Sequence, residues 1–333
     1  MTKRQPILCV VGPTGVGKSE QSIEIALRYG GEVVSADSMQ IYRGMDIGTA
    51  KLQPSEMRGV PHHLLDIADP AEKFTVAEWK RQADQVIGEI CARGRLPVVC
   101  GGTGLYIRAL LDDLDFSQTP EDQTLRARLE RRAKQEGVRA LYDELCARDP
   151  ERAARIHPND RKRIVRALEV TIARGTAMSA DYEWAPRQGR YDALVIGITM
   201  PREALYQRID RRVEQMWRLG LVDEVKRLLE CGVPVDGTAM QAIGYKEVVA
   251  YLSGAVSEEE AIRIIQQNTR RFAKRQWSWF RRDPRVRWFA KGPDGQFPAD
   301  EIARLWTCVE AFLQDIGWST ANRSSTCRME SES

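Results

Sequence analysis

No apolar stretch in this 333-residue sequence approaches the roughly 18 residues that a membrane-crossing helix needs, which excludes a spanning helix. Its opening, Met-Thr-Lys-Arg-Gln-Pro, runs directly into the first apolar segment without the long hydrophobic stretch of a secretory signal, and the cytoplasm is the expected compartment. Seven cysteines, at positions 9, 91, 100, 146, 231, 308 and 327, are scattered with no CxxC pair and no histidine set beside them. Neither a disulfide framework nor a zinc site is supported. Net charge is only +3, so bulk electrostatics announce no nucleic-acid partner. Internal repeats are absent, and with them the solenoid architectures. What is present, 43% hydrophobic and 29% charged residues, suits an ordinary globular protein with room for one large core and a smaller module.

Residues 12–19 read Gly-Pro-Thr-Gly-Val-Gly-Lys-Ser, a full match to the phosphate-loop pattern GxxxxGK[ST] shared with ATP-binding and other nucleotide-binding proteins. The apolar run Ile7–Val11 precedes it as a strand and Glu20–Tyr29 follows as a helix, the context in which loop N–H groups surround a polyphosphate at a helix N-terminus. Gly12, Pro13, Thr14, Gly15, Val16 and Gly17 supply that backbone, Lys18 a point charge, and Ser19 a hydroxyl suited to Mg²⁺, directly or through water. A ligand-free glycine turn is the bland alternative. The chain therefore binds a phosphate-rich ligand, which the loop alone does not identify.

Four short apolar runs, Ile7–Val11, Glu32–Ala36, Leu96–Cys100 and Ala193–Ile198, read as buried parallel strands separated by helices. One of these helices is Thr75–Arg93, with Thr75 and Glu78 placed for a capping box and Gly94 closing it. The pattern predicts an α/β fold, a phosphate-loop doubly wound parallel sheet. Between residues 114 and 189 the strand signal vanishes into consecutive helices, and the chain after Pro201 is mostly helical. The expected domains are a catalytic core of 1–115 and 190–318, an inserted all-helical module of 116–189, and a polar, disordered tail Ser319–Ser333.

Ligands of open parallel sheets bind beyond the carboxyl ends of the strands. The second strand ends at Asp37 and the third at Gly101-Gly102-Thr103-Gly104, so Asp37 and Thr103 should stand beside the phosphates. Asp37 could ligate a metal through water or act as a general base, or merely cap a helix; Thr103 could equally be only an N-cap. The loop Ser35–Lys51 is long, aperiodic and polar-tipped, the kind that carries function on a rigid sheet. His62 and His63 are assigned no role.

Together GPTGVGKS, DSMQIYRGMDIGTAK, HHLLD (62–66), GGTGLY (101–106), HPNDRKRIVRALEV (157–170) and QAIGYKE (241–247) resemble, in order from about residue 6 to about 290, the bacterial tRNA dimethylallyltransferase family. Only the first motif is generic. The resemblance implies transfer of a dimethylallyl group from dimethylallyl diphosphate to the exocyclic amine of the adenine 3′-adjacent to the anticodon. The phosphate loop would grip the donor's diphosphate, with Mg²⁺ as cofactor, Asp37 as base and Thr103 beside the donor's bridging oxygen. Arg208 and Arg212 lie one helical turn apart; the family places one arginine of this helix on the diphosphate, and Arg208 is favoured. Asp37, Ser38, Met39 and Gln40 match a segment contacting the target base. Arg161, Lys162, Arg163, Ile164 and Val165 match a second tRNA-contacting segment, with Arg126 near a further one. The implied partners are the tRNA anticodon stem-loop and the prenyl donor, for a monomer free of membranes.

Between Arg263 and Arg287 nine Lys or Arg residues and one acid, Asp283, are interleaved with Phe272, Trp277, Trp279 and Phe280. The aromatics are expected mostly in the core and the arginines partly toward RNA. Three rival readings stand beside the main one: a phosphate-loop small-molecule kinase, an isopentenyltransferase acting on free adenine nucleotides, and a non-catalytic RNA-binding module. The RGMDIGTAK loop and the basic helical insertion disfavour the first, the GMDIGTAK and HPND segments the second, and intact Lys18, Ser19, Asp37 and Thr103 the third.

Overall fold

The computed structural model describes residues 4–114, 122–174 and 189–318; the tail Ser319–Ser333 and the expected boundary at residue 116 lie outside them. Strands β1 (Gln5–Val11), β2 (Gly31–Ser35), β3 (His62–His63), β4 (Leu96–Gly101), β5 (Tyr191–Thr199) and β6 (Val286–Ala290) form one six-stranded sheet in the order β3-β2-β4-β1-β5-β6. Every pairing is parallel. With helices on both faces this is the phosphate-loop type of doubly wound α/β fold. The continuous apolar run of β1 follows from its central place: Ile7, Cys9 and Val11 enter one hydrophobic core, and Leu8 and Val10 the other. A strand covered on both faces has no polar side to alternate with.

Two strands escape the apolar-run reading for the same reason: they are edges. β3 pairs only two positions, His62 with Val33 and His63 with Val34. In β6 Val286 and Phe289 are buried while Arg287 and Ala290 are exposed, so its signal merges into the surrounding basic-aromatic segment.

Helices α1 (Lys18–Tyr29), α2 (Val76–Ala92) and α3 (Gly104–Leu111) accompany the first four strands, and α8 (Arg202–Arg218), α9 (Leu221–Glu230), α10 (Tyr245–Leu252), α11 (Glu258–Phe280) and α12 (Ala299–Asp315) follow β5. The capping box of α2 forms: Thr75 Oγ1 accepts the Glu78 N–H at 3.2 Å, and Glu78 Oε2 accepts the Thr75 N–H at 2.7 Å. Trp79, 0% exposed, then donates its indole N–H to the Ser35 carbonyl at 3.0 Å, tying α2 to the end of β2. No helix among the described residues is long and apolar enough to cross a membrane.

The chain divides into two compact units, Met1–Asp113 with Pro186–Ser333, and Leu114–Ala185. The smaller contains α4 (Gln123–Gln135), α5 (Val138–Arg148), α6 (Pro150–Ala153) and α7 (Arg161–Arg174). These helices close over a core that includes Leu129, Leu141, Leu145, Ile164 and Leu168.

Candidate active site

The phosphate loop joins β1 to α1. Gly12 has φ 142°, and a Cβ there would stand 2.4 Å from the Ile198 carbonyl oxygen, so β5 lies too close for any side chain. Gly17, at the N-cap of α1, has φ 89°, again a conformation that suits glycine. Lys18 folds back to donate to the Pro13 carbonyl at 2.9 Å. Burial holds its pKa below the ordinary lysine range, partly offset by Asp37. A glycine-rich loop at a helix N-terminus with a buried lysine is suited to an anion, whose charge would favour the protonated form of Lys18.

The strand ends converge as the sheet topology requires. A cavity of about 350 Å³ has Thr14, Asp37, Ser38, Met39, Thr103 and Arg212 in its wall. Asp37 Oδ1 accepts the N–H groups of Met39 at 2.9 Å and Gln40 at 3.4 Å, so this oxygen supports a turn. Oδ2 accepts no hydrogen bond among the described residues. Thr103 occupies the N-cap position of α3, yet its side chain makes no capping bond. Its hydroxyl accepts the Ser38 N–H at 3.0 Å and donates to Ser38 Oγ at a long 3.3 Å, a bond that a better acceptor in the cavity would displace.

Two of the expected residues face elsewhere. Arg208 Nε donates to the Gly15 carbonyl at 3.2 Å, bracing the phosphate loop, while Arg212, one turn on, faces the cavity. Both arginines thus stand near the phosphate loop or its cavity, Arg208 favoured from sequence for the diphosphate and Arg212 in the cavity wall. Burial lowers the Arg212 pKa, with Asp37 opposing, and no carboxylate pairs with it among the described residues. Gln40 turns away, donating to the Thr49 carbonyl at 3.2 Å.

In the helical unit Arg126 is committed to structure: its Nε and Nη2 donate to Oε2 of the fully buried Glu169 at 2.9 and 2.7 Å. Ile164 and Val165 are 0% and 3% exposed, so their side chains build the core. Lys162 and Arg163 are exposed, and Arg161 lies 3.7 Å from Glu130.

Several supporting residues carried no recognisable local signal. Gln276 of α11, nearly buried, accepts the Thr14 N–H at 2.8 Å and donates to the Gly102 carbonyl at 3.0 Å, clasping the phosphate loop to the end of β4. Glu224 of α9 accepts from the backbone N–H of Asp46 (3.0 Å), Ile47 (2.8 Å) and Gly48 (3.1 Å), and from the Tyr245 hydroxyl (2.6 Å). The GMDIGTAK loop, whose Gly48–Ala50 line the cavity, is thus gripped by a buried carboxylate. Lys51 clamps the same loop through Asp46 and Asp66, both at 2.6 Å. This is the physical reason for the Asp of the HHLLD segment. His63 pairs with Glu32 at 2.7 Å, beside Arg93, and His62 with the Val60 carbonyl at 2.8 Å; both are packing residues.

Phe280 is buried, but Trp277 is 37% exposed. Of the aromatics expected mostly in the core, Trp277 is thus an exception: Ala273, Gln276 and Phe280 form the buried face, which leaves Trp277 on its margin.

Comparison with known proteins identifies the family. The IPP transferase family profile matches residues 40–283, and the isopentenyl transferase profile matches residues 5–73. The tRNA dimethylallyltransferase of Symbiobacterium thermophilum is 50% identical over 311 residues, 92% of this chain and 97% of that protein. The chain belongs to the IPP transferase family. The Geobacillus kaustophilus tRNA dimethylallyltransferase is likewise 50% identical, over 90% of this chain and 96% of its own. Among solved structures, the full-length tRNA isopentenylpyrophosphate transferase of Bacillus halodurans has a TM-score of 0.71 at 44% identity, covering 94% of this chain and 98% of that one. A eukaryotic dimethylallyltransferase acting on tRNA has a TM-score of 0.79 at 28% identity, covering 93% and 80%. Like its relatives in the IPP transferase family, this chain is a prenyl-transferring enzyme, and that reaction generally takes a divalent metal.

Proposed function

We propose that this chain transfers a dimethylallyl group from dimethylallyl diphosphate to the exocyclic amino group of the adenine 3′-adjacent to the anticodon, in tRNAs reading codons that begin with U, releasing diphosphate. The observation that carries the reading is the meeting of Asp37, Thr103 and Arg212 on one cavity at the phosphate loop. The adenine amine is a weak nucleophile, its lone pair drawn into the ring. A base that takes its proton as the N–C bond forms therefore lowers the barrier; Asp37 takes that role through Oδ2, a reading supported by Oδ1 alone being engaged in the turn. As the allylic C–O bond breaks, charge collects on the departing diphosphate. The loop amides, Lys18 and Arg212 face that charge, and the Thr103 hydroxyl turns from Ser38 to the bridging oxygen.

Mg²⁺ fits the same loop. No group of three His, Cys, Asp or Glu among the described residues could cage a metal. The single hydroxyl of Ser19 suits a hard ion that keeps its waters and takes its other ligands from substrate phosphates. When bound, such an ion neutralises the leaving group. The target base must leave its stack to reach the cavity, where Asp37, Ser38 and Met39 border it, and Gln40 holds the loop behind them. In the helical unit the exposed Lys162 and Arg163 and the half-buried Arg161 offer cations to the anticodon stem-loop, with Ile164, Val165 and Arg126 holding α7 in shape. The enzyme works as a cytoplasmic monomer in this reading.

Incubation with Mg²⁺, labelled dimethylallyl diphosphate and unmodified tRNA, followed by digestion to nucleosides, should place label in a tRNA adenosine. Label only in free AMP would make the chain a free-nucleotide isopentenyltransferase, and ATP turnover without tRNA labelling would make it a kinase. Either result sinks the proposal.

A further inference from the structure

A second cavity, of about 220 Å³, has Pro13 of the phosphate loop in its wall. Its wall includes Met200, Arg202, Tyr206, Lys274 and Trp277, and no acidic side chain lines it. Trp277 is the only aromatic among the exposed large hydrophobic residues described. An indole partly open to water in the wall of a cavity offers a flat face for stacking.

The surrounding charges point the same way. Elsewhere in these helices cations are matched by acids: Arg270 with Asp210, and Arg263 with Glu260. Around the cavity they are not. Arg202 lies 5.1 Å from the Tyr206 ring centroid and Arg281 lies 5.0 Å from that of Trp277. Neither these arginines nor Lys274 pairs with a carboxylate among the described residues. A flat π-surface beside uncompensated cations is complementary to a planar ring carrying phosphate. The volume is below the roughly 300 Å³ at which pockets for drug-sized ligands begin, which suits one ring system.

We propose that this cavity receives one unpaired nucleobase of the RNA substrate, stacked on Trp277, with Lys274 and Arg202 on the adjoining phosphates. Stacking on aromatics beside a basic track is how proteins hold single-stranded RNA without reading its sequence. The inference rests on the reading of the chain as a tRNA-prenylating enzyme.

The test measures affinity for unmodified tRNA by filter binding, and kinetics with the labelled prenyl donor, in the full-length chain. Trp277→Ala should weaken tRNA binding by roughly 5- to 100-fold, the range for losing one stacked base. It should raise KM for tRNA and leave KM for dimethylallyl diphosphate unchanged. Trp277→Phe, which keeps a stacking face, should recover most of the loss. Lys274→Ala and Arg202→Ala should each flatten the dependence of log affinity on log salt by about 0.7, and they carry the test if Trp277→Ala fails to fold. Wild-type tRNA affinity and KM in a folded Trp277→Ala, or an unchanged salt slope in both cation variants, overturns the inference. So does binding of free AMP that Trp277→Ala abolishes while tRNA binding persists, which would assign the cavity to a free nucleotide. If the wild-type chain labels no tRNA, the functional reading itself has failed, a result distinct from these.

Discussion

Replacing Gln276 by methionine keeps the length of the side chain and removes both of its hydrogen bonds, so it isolates the clasp between phosphate loop and β4. The Thr14 N–H at 2.8 Å and the Gly102 carbonyl at 3.0 Å lose their partner. Leaving a buried polar group unmatched costs about 1–3 kcal/mol each. Thr14 borders the open cavity, where water can reach its N–H, so a total near the low end, about 2 kcal/mol, is expected in urea unfolding. The catalytic consequence is separate. Gly102 precedes Thr103, and Thr14 lies within the loop proposed to hold the leaving group. Loosening the clasp lets the diphosphate and the Thr103 hydroxyl drift apart, and a misplacement of about 1 Å can cost on the order of 100-fold. Steady-state kinetics should show kcat/KM for dimethylallyl diphosphate falling about 10- to 100-fold, with tRNA affinity unchanged within about two-fold. Gln276→Glu should bind the donor still more weakly, because an acid replaces an amide beside the anion site and an oxygen faces the Gly102 carbonyl. The reasoning is refuted if Gln276→Met loses the expected stability while kcat/KM for the donor stays at the wild-type value; Gln276 would then be a packing residue.

Asp37→Asn retains the oxygen that supports the turn but not the base. Transfer should fall about 10²- to 10⁴-fold with tRNA binding intact, as it should in Asp37→Ala; lost tRNA binding would make Asp37 a recognition or structural residue. Lys18 must be protonated to hold diphosphate, and burial lowers its pKa in the free enzyme. Donor affinity should therefore decline as pH rises, the decline beginning below the ordinary lysine range. A pH series by calorimetry checks this, and Lys18→Arg should move the decline beyond the measurable range. In Glu224→Gln the new amide N–H₂ must face at least one backbone N–H of residues 46–48. The variant should lose about 2–4 kcal/mol of stability by urea denaturation, with a higher KM from disorder of the GMDIGTAK loop. Unchanged melting would show that the three amides find other partners.

The parts of the site that were legible are those whose meaning is local. Glycines at fixed offsets before Lys18 and Ser19 dictate an anion cradle wherever a strand feeds a helix. The four runs of buried strand gave the class of sheet, and topology then required Asp37 and Thr103 to end near that cradle. The edge strands were hidden because a strand half exposed to water looks like its polar surroundings. Motif resemblance reached the family, and the comparisons agree.

Side-chain direction and long-range pairing were beyond local reading. Arg208 and Arg212 are equivalent by spacing; only the packing of α8 turns the first onto the Gly15 carbonyl and the second toward the cavity. Gln276 is one polar residue in a basic helix until the fold carries it across 262 positions to Thr14. Trp277 and Phe280 were both expected mostly in the core, yet the packing of α11 buries Phe280 and leaves Trp277 at a cavity. The sequence by itself determined the phosphate loop, the sheet class and the chemical inventory, because each depends on residues within a few positions of one another. The tertiary structure alone decided which of those groups meet, because hydrogen bonds and close packing act over a few ångströms in space whatever their separation along the chain.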